Sequence, residues 1–288
     1  MHIGHMIQQH TPFLSLEFFP PKESKDWPAF FGRVKRLRAL SPLFVSITCG
    51  AGGTPKTNTL EIASRLQNDM GLETMAHLTC LGGVKEEIND SLRQLRAAGV
   101  NNVLALRGDP PREGETPLTQ PDFPYAADLV SYIREQAPNM GIGVAGYPEA
   151  HPESPTIALD RQHMQEKLQR GADFLMTQFI FDNRVYFDFV ERMRDLGVTQ
   201  PIVPGVLPVL SLKSVRHILS LSGASIPGRF YLQLEEADER GGSAEVRRVG
   251  IEFARAQVRG LLDGGAPGVH LYTLNQADPC LQIAEGIL

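Results

Sequence analysis

The sequence FLSLEFFPP, at residues 13–21, predicts a short hydrophobic β-strand that carries one carboxylate. Because alternate side chains of a strand point to opposite faces, Glu17 shares a face with Phe13 and Ser15. Burying an unpaired carboxylate costs free energy, so such a group is usually paired, protonated or used in chemistry. An internal ion pair with a distant Arg or Lys and a catalytic role are both compatible with this first strand.

Seven later segments repeat the pattern of a short hydrophobic strand followed by a helical segment. The predicted strands cover residues 43–48, 74–79, 102–107, 141–147, 174–180, 202–206 and 268–274. The last long helix is predicted over 244–262, after a less regular stretch at 222–242. Eight strand–helix units in 288 residues indicate a single (β/α)8 TIM barrel, in the α/β class.

The barrel is predicted to form one domain over residues 1–288, with a flexible N-terminal segment at residues 1–11. The competing fold is an open doubly wound sheet, which usually has a glycine-rich phosphate-binding turn after its first strand. This chain has EFFPP there, at residues 17–21, which favours the barrel.

The composition excludes several classes of protein. Lys and Arg number 28 and Asp and Glu number 33, and the net charge of −5 comes without the basic block typical of nucleic-acid-binding surfaces. No hydrophobic run approaches the roughly 20 residues needed to cross a bilayer, and no signal-peptide pattern is present. Cys49, Cys80 and Cys280 show no paired spacing and indicate free thiols. We expect a cytoplasmic protein without nucleic-acid or membrane partners.

Polar residues end most of the predicted strands. They are Glu17, Thr48, His77, Arg107, Asp109, Tyr147, Glu149, His151, Gln178 and Asn275. In a (β/α)8 barrel the C-terminal ends of the strands meet at one rim, where active sites lie. Counting in steps of two places Arg107 on the inward face with Ala105. So many polar residues on one rim predict an active site.

These residues narrow the chemistry only in part. There is no Gly-x-Ser-x-Gly elbow, no cysteine in a nucleophile setting and no helical His-x-x-x-His pair, so we predict no metal site. The turn GAGG at residues 50–53 could cradle a phosphate, although turns also use glycine for their own geometry. Composition and spacing alone indicate an enzyme with an acid–base carboxylate and a polar rim.

Six further motifs are SLEFFPP at 15–21, AHLTC at 76–80, ALRGD at 105–109, YPEAHP at 147–152, TQF at 177–179 and YTLN at 272–275. Together, and in this order over nearly the whole chain, they resemble the methylenetetrahydrofolate reductase family. The resemblance is to the short bacterial form, which implies a catalytic barrel without the regulatory domain of eukaryotic members. It also implies a place in one-carbon metabolism and methionine biosynthesis, and a homo-oligomer.

The resemblance implies a specific reaction. A non-covalently bound FAD would be reduced by NADH or NADPH and would then reduce 5,10-methylenetetrahydrofolate to 5-methyltetrahydrofolate, in a ping-pong sequence through flavin N5. Glu17 resembles the general acid that protonates folate N10 and opens the ring to an iminium. Asp109 resembles the aspartate whose charge favours that cation, and Gln178 the residue that hydrogen-bonds the pterin. Glu17, Asp109 and Gln178 are thus the predicted substrate contacts.

The resemblance also implies a set of cofactor contacts. These are Thr48, His77, Arg107, Gly108, Asp109, Tyr125, Ala126, Tyr147, His151, Asp160 and Lys167. Structural alternatives stay open for three of them. Tyr125 and Asp160 lie at predicted helix starts and could simply cap or pack, and Lys167 could be a solvated surface charge.

This chain departs from the family pattern at three places. Residues 49–59 read CGAGGTPKTNT where many members have YGAGGSTRDRT, and Gln276 stands where an arginine commonly follows YTLN. Both changes remove charged groups near an anionic ligand, so the choice between NADH, NADPH and another donor stays open. Residues 229–240, where the family places an apolar side chain over the substrate, align poorly, with Leu234 as one candidate.

Two other functions compete with this one. The first is a barrel that binds a pterin and transfers a one-carbon group without flavin, for which Lys167 and Tyr125 would not be needed. The second is a non-catalytic barrel that acts as a partner subunit, in which Glu17 would be replaceable. Glu17, Asp109 and Gln178 together favour a catalytic barrel over a non-catalytic one.

Overall fold

In the computed structural model the eight strands pair in parallel and in chain order, and β8 pairs with β1 to close a barrel. The structure describes residues 1–49, 56–81, 83–108 and 122–287. The strands are β1 (Phe13–Phe18), β2 (Phe44–Ile47), β3 (Thr74–Thr79), β4 (Asn102–Leu106), β5 (Gly141–Gly146), β6 (Phe174–Phe179), β7 (Ile202–Val206) and β8 (Gly268–Tyr272). The predicted (β/α)8 barrel is confirmed.

Ten helices accompany these strands within the described ranges. They are α1 (Ile3–Gln9), α2 (Trp27–Leu37), α3 (Lys56–Asn68), α4 (Lys85–Ala97), α5 (Ala126–Gln136), α6 (Ile157–Gln169), α7 (Asn183–Asp195), α8 (Leu212–Ser222), α9 (Gly228–Asp263) and α10 (Ala277–Ala284). Short 3₁₀ turns flank α2 at Ser24–Asp26 and Arg38–Leu40. None of the helices in these ranges is long and apolar enough to cross a membrane.

Helix α9 starts earlier than the sequence predicted. It covers much of the stretch that was expected to be irregular, and its only break is at Gly241 and Gly242, whose backbone angles are not helical. Phe230, Leu234 and Ala237 have helical spacing and are all buried. Charged residues lie between these positions and obscure the helical periodicity in the sequence. Tertiary packing of the apolar face stabilises the helix.

The N-terminal segment, which the sequence predicts to be flexible, contains a short packed helix. Helix α1 packs Ile3 and Ile7, which are 0% and 1% exposed, against the apolar residues inside the base of the barrel. Asn102, at the start of β4, accepts a hydrogen bond from Ile3 N at 2.9 Å and donates one to Met1 O at 2.8 Å. The sequence signal was weak because the helix is short, and only contact with the barrel makes it favourable.

The interior of the barrel is apolar at its base and polar towards its C-terminal rim. The base contains Phe13, Phe44, Met75, Leu104, Phe174 and Val203. Leu104, not Ala105, belongs to this interior cluster, whereas Ala105 packs in the larger cluster outside it. The prediction that Ala105 and Arg107 face the interior of the barrel was therefore wrong. The phase of β4 differs from it by one residue, and such a shift turns every side chain of a strand to the other face.

Replacing Ile7 with Ala should destabilise the fold, because it leaves a cavity between α1 and the base of the barrel. We expect the free energy of unfolding to fall by about 2–4 kcal/mol. Urea denaturation measures this, with the exposed neighbour Gln8→Ala as the control. Equal midpoints for the two variants would mean that α1 does not pack as described.

Candidate active site

Glu17 lies at the C-terminal end of β1 and is 5% exposed. Its Oε2 atom is 3.5 Å from His77 Nε2 and 3.7 Å from His270 Nε2. Among the described residues, no Arg or Lys forms an ion pair with it. The internal pair with a distant permanent cation, which the sequence left open, is therefore absent from the described part of the chain.

His270 was missed by the sequence analysis. It is fully buried in β8, its Nδ1 lies 2.8 Å from Ser15 Oγ, and its Nε2 lies 3.4 Å from Ser46 Oγ. The ring also stacks on Phe44, with centroids 6.0 Å apart. These contacts hold the imidazole in one orientation beside Glu17. A histidine two residues before the YTLN tyrosine, in strand phase with it, was the signal that could have revealed it.

His77, on β3, is a neutral group at physiological pH. Burial lowers its pKa from 6.5 to about 4, the charge of Glu17 opposes this shift, and His270 adds to it. Its Nε2 atom has no hydrogen-bond partner among the described residues. His77 is therefore a polar neighbour of Glu17 and not a charged partner.

The end of β1 is tied to the loop after β8. Thr273 donates to the Glu17 carbonyl oxygen through its hydroxyl at 2.6 Å and its backbone N–H at 3.3 Å. The Asn275 side chain accepts from Phe19 N at 3.0 Å and donates to Phe19 O at 2.8 Å. Asn275, predicted as a polar rim residue, thus has a structural role here, because both ends of its amide bind backbone.

The loop after β5 is held by residues that the sequence placed in the cofactor site. The Tyr147 and His151 rings meet edge to face, 4.7 Å apart, and the backbone N–H of His151 donates to Asp160 Oδ2 at 2.9 Å. Lys167 donates from Nζ to Ala145 O at 2.5 Å, and burial lowers its pKa to about 8, although Asp160 opposes this. Lys167 is therefore not a solvated surface charge.

Arg107 and Gly108 follow β4 beside this loop. Arg107 pairs with Glu153 Oε2 at 2.6 Å, and this guanidinium lowers the pKa of the Glu153 carboxyl. Gly108 has φ of +90°, which favours glycine, and a Cβ there would lie 3.1 Å from Thr79 Cβ. Arg107 therefore lies at the rim, as the sequence predicts. The side chains of β4, however, point to the opposite faces of the barrel wall from those predicted.

Tyr125 and Ala126 begin α5, outside the cluster around Glu17. Tyr125 is 62% exposed and its ring stacks on His163 with centroids 6.5 Å apart. Its backbone N–H donates to Asp128 Oδ2 at 3.2 Å. The described contacts of Tyr125 are therefore with helices α5 and α6.

Thr48 and Gln178 complete the predicted polar rim. The Thr48 Oγ1 atom, directly after β2, is buried and has no hydrogen-bond partner among the described residues. Gln178 is half-buried near the end of β6, and its Oε1 accepts from Phe179 N at 3.1 Å. This bond identifies the oxygen of the amide, and its NH₂ group has no hydrogen-bond partner among the described residues.

The remaining predictions concern Asp109, the glycine-rich turn, Leu234 and a metal site. Asp109 and the glycine-rich turn at 50–53 lie outside the described residues. Leu234 is 0% exposed and packs in a cluster with Phe230, so it is a core residue and not a substrate contact. Within the described ranges, no three His, Cys, Asp or Glu side chains are arranged to hold a metal ion.

Comparison with known proteins identifies the family of this chain. The sequence model of the family described as methylenetetrahydrofolate reductase matches residues 2–287. The chain belongs to the methylenetetrahydrofolate reductase family. The buried Glu17 and the YPEAHP loop are thus features of a member of this family, and the resemblance inferred from six motifs is confirmed.

Reductases of this family from plants and bacteria are similar to this chain over different shares of their length. Methylenetetrahydrofolate reductase (NADH) 1 of Arabidopsis thaliana is 39% identical over 285 residues, covering 95% of this chain and 48% of that protein. The 5,10-methylenetetrahydrofolate reductase of Salmonella typhimurium is 35% identical over 267 residues, covering 92% and 87%. The chain therefore spans about half the length of the plant reductase and most of the bacterial one.

Solved structures share the fold at low sequence identity. A protein from Clostridium thermocellum, described as binding two copies of 5-methyl-5,6,7,8-tetrahydrofolic acid, has a TM-score of 0.68 and 14% identity, covering 99% of this chain and 97% of its own. A 2,3-dimethylmalate lyase has a TM-score of 0.54 and 9% identity, covering 97% and 81%. At these identities the likeness concerns the barrel alone.

The buried His77 should make the fold sensitive to acid. Its pKa is about 4 in the folded protein and 6.5 when unfolded, so the unfolded chain binds the proton first and stability falls as the pH drops from 6.5 to 4. The contribution is on the order of 3 kcal/mol. His77→Gln should flatten the pH dependence of the unfolding free energy in this window, whereas the exposed His217→Gln should not. An unchanged slope for His77→Gln would contradict the neutral state.

Proposed function

We propose that this chain reduces 5,10-methylenetetrahydrofolate to 5-methyltetrahydrofolate, with NADH or NADPH as the electron donor and FAD bound non-covalently. The observation that carries the proposal is Glu17, a carboxyl buried at the rim with two imidazoles beside it and no described Arg or Lys paired to it. Membership in the family supports the reaction, and so does the 35% identity to the Salmonella typhimurium reductase over most of that protein.

Glu17 is proposed as the general acid that delivers a proton to folate N10. Opening the five-membered ring of the substrate requires this proton, and a buried carboxyl within reach of the nitrogen is suited to carry it. His270 is proposed as a positioning residue, because Ser15 fixes one ring nitrogen while the other faces Glu17. His77 is neutral, so it lies beside the carboxyl without holding it as the anion of an ion pair.

Two other residues are proposed to bind the substrate. Gln178 offers its amide NH₂ to acceptor atoms of the pterin, since its oxygen is already bonded to Phe179 N. Asp109 is proposed to stabilise the cationic iminium by its negative charge. Glu17 is thus the proposed proton donor, Gln178 the hydrogen-bonding group and Asp109 the fixed negative charge.

The polar groups of the rim fit an FAD molecule. Thr48 Oγ1 and His77 Nε2 are buried without described hydrogen bonds, and the part-buried Lys167 ammonium has one described hydrogen bond. A cofactor with polar ring edges and a pyrophosphate would satisfy such groups. The proposed contacts are Thr48, His77, Arg107, Gly108, Asp109, Tyr125, Ala126, Tyr147, His151, Asp160 and Lys167. FAD, when bound, supplies a carrier of two electrons between nicotinamide and folate.

The visible absorption spectrum of the purified protein is the first test of this function. We expect flavin bands that bleach anaerobically with NADH or NADPH and return when methylenetetrahydrofolate is added. Bleaching by one nucleotide identifies the donor. Bands that resist both nucleotides would point to another reductant, and no flavin after incubation with FAD would favour the flavin-free pterin-binding barrel.

Glu17→Gln should separate the two halves of the reaction. The amide keeps the size of the side chain but cannot deliver the proton, so folate reduction should fall by about 10²-fold or more. Oxidation of the nicotinamide with an artificial electron acceptor should change little. Stopped-flow absorbance measures both, and the exposed Glu191→Gln is the control. Folate reduction within a few fold of the wild type would remove Glu17 from the role of acid.

Lys167→Met should weaken flavin binding without unfolding the protein. Methionine fills a similar volume and relieves the burial of a charge, so the melting temperature of the apoprotein should be retained. The Kd for FAD should rise by about tenfold or more if the ammonium meets the cofactor. Fluorescence titration of the apoprotein with FAD measures this, with the exposed Lys213→Met as the control. An unchanged Kd would exclude Lys167 from the site.

A further inference from the structure

Strand β6 contains a bulge beside the candidate active site. Met176 pairs with Val203 and Phe179 pairs with Gly205, so β6 has one more residue than β7 between these two pairs. Thr177 and Gln178 occupy the irregular part of β6. Bulges near active sites commonly change the direction of a side chain. Here one of the affected side chains is that of Gln178, the proposed pterin ligand.

Two side chains satisfy the backbone groups that the bulge removes from the regular ladder. The Thr177 carbonyl oxygen accepts a hydrogen bond from Tyr272 Oη at 3.0 Å. The backbone N–H of Gly205 donates to Thr177 Oγ1 at 2.9 Å. Buried backbone groups need partners, so these two bonds are what allows the irregular backbone to persist in the barrel wall.

Tyr272 reaches β6 from β8 by crossing the intervening strand β7. This crossing requires Gly205, because a Cβ there would lie 2.7 Å from Tyr272 Cε2 and 2.6 Å from Thr177 O. On its opposite edge, β8 pairs with β1, and there Tyr272 is the register partner of Glu17. The tyrosine therefore connects the strand next to the proposed acid with the strand that carries Gln178.

The hydroxyl of Tyr272 is suited to a permanent donor role. Burial, with the charge of Glu17 adding to it, raises the pKa of Tyr272 well above its usual value, so the hydroxyl keeps its proton. Its ring packs edge-on against Phe179, with centroids 5.9 Å apart. Phe179 N in turn donates to Gln178 Oε1, so one chain of contacts runs from Tyr272 to the Gln178 amide.

We propose that Tyr272 is a positioning residue for Gln178, which it orients through the β6 bulge. By this account, Tyr272 sets the affinity for the folate substrate and takes no part in the proton transfer. The inference rests on the proposed function, since it assigns Gln178 to the pterin. It adds a residue and a backbone feature that determine substrate binding.

Tyr272→Phe tests this inference, because it removes the hydroxyl and keeps the ring. The KM for methylenetetrahydrofolate should rise by about tenfold, with a smaller change in kcat and no change in nicotinamide oxidation with an artificial acceptor. Tyr186→Phe is the matched control, since its buried hydroxyl donates to another strand carbonyl, Ile202 O, at 2.8 Å. Both variants should lower the melting temperature similarly, but Tyr186→Phe should leave the KM unchanged.

A double-mutant cycle shows whether Tyr272 acts through Gln178. Gln178→Ala should raise the KM for folate, and adding Tyr272→Phe should then change it by less than about twofold, because the positioned group is already gone. Full additivity, or an unchanged KM for Tyr272→Phe in an active enzyme, would overturn the inference. A wild-type protein that fails to reduce folate would instead overturn the proposed function.

Discussion

Closure of the barrel between β1 and β8 is the constraint on which the candidate site depends. It brings Ser15 to His270 across 255 residues of sequence and sets Glu17 in register with Tyr272. The bonds from Thr273 to the Glu17 carbonyl oxygen hold the strand end where the carboxyl emerges. A shift of this pairing by one residue would turn Glu17 out of the barrel, so the site requires this register.

Along the barrel axis, stabilising apolar residues lie at the base and the candidate active-site residues lie at the C-terminal rim. At its base, phenylalanines and aliphatic side chains pack against α1, and the buried Asn102 binds the backbone of the N-terminal segment. Towards the rim, buried ionisable groups replace them, and burial shifts the pKa of His77 and Lys167 towards their neutral forms. Such groups cost folding free energy, and the apolar base and outer helices offset that cost.

Polar residues at the rim have two distinct roles. Asn275, Thr177 and Asp160 bind backbone groups and hold irregular loops in place. Thr48 and His77 have buried polar atoms without described hydrogen bonds, and both are among the proposed cofactor contacts. Sequence position alone does not separate the two roles, since both kinds of residue follow strands. Only the hydrogen-bond partners distinguish them.

The sequence by itself determined the barrel class, the eight strands and the family, because strand and helix periodicity and contiguous motifs are local properties of the chain. It also identified Glu17 as the central carboxylate. Only the tertiary structure decided the packing of α1, the inward phase of β4, the place of His270 beside Glu17 and the bulge that Tyr272 bridges. Each of these depends on contacts between residues far apart in sequence, whose free energies exist only once the barrel has closed.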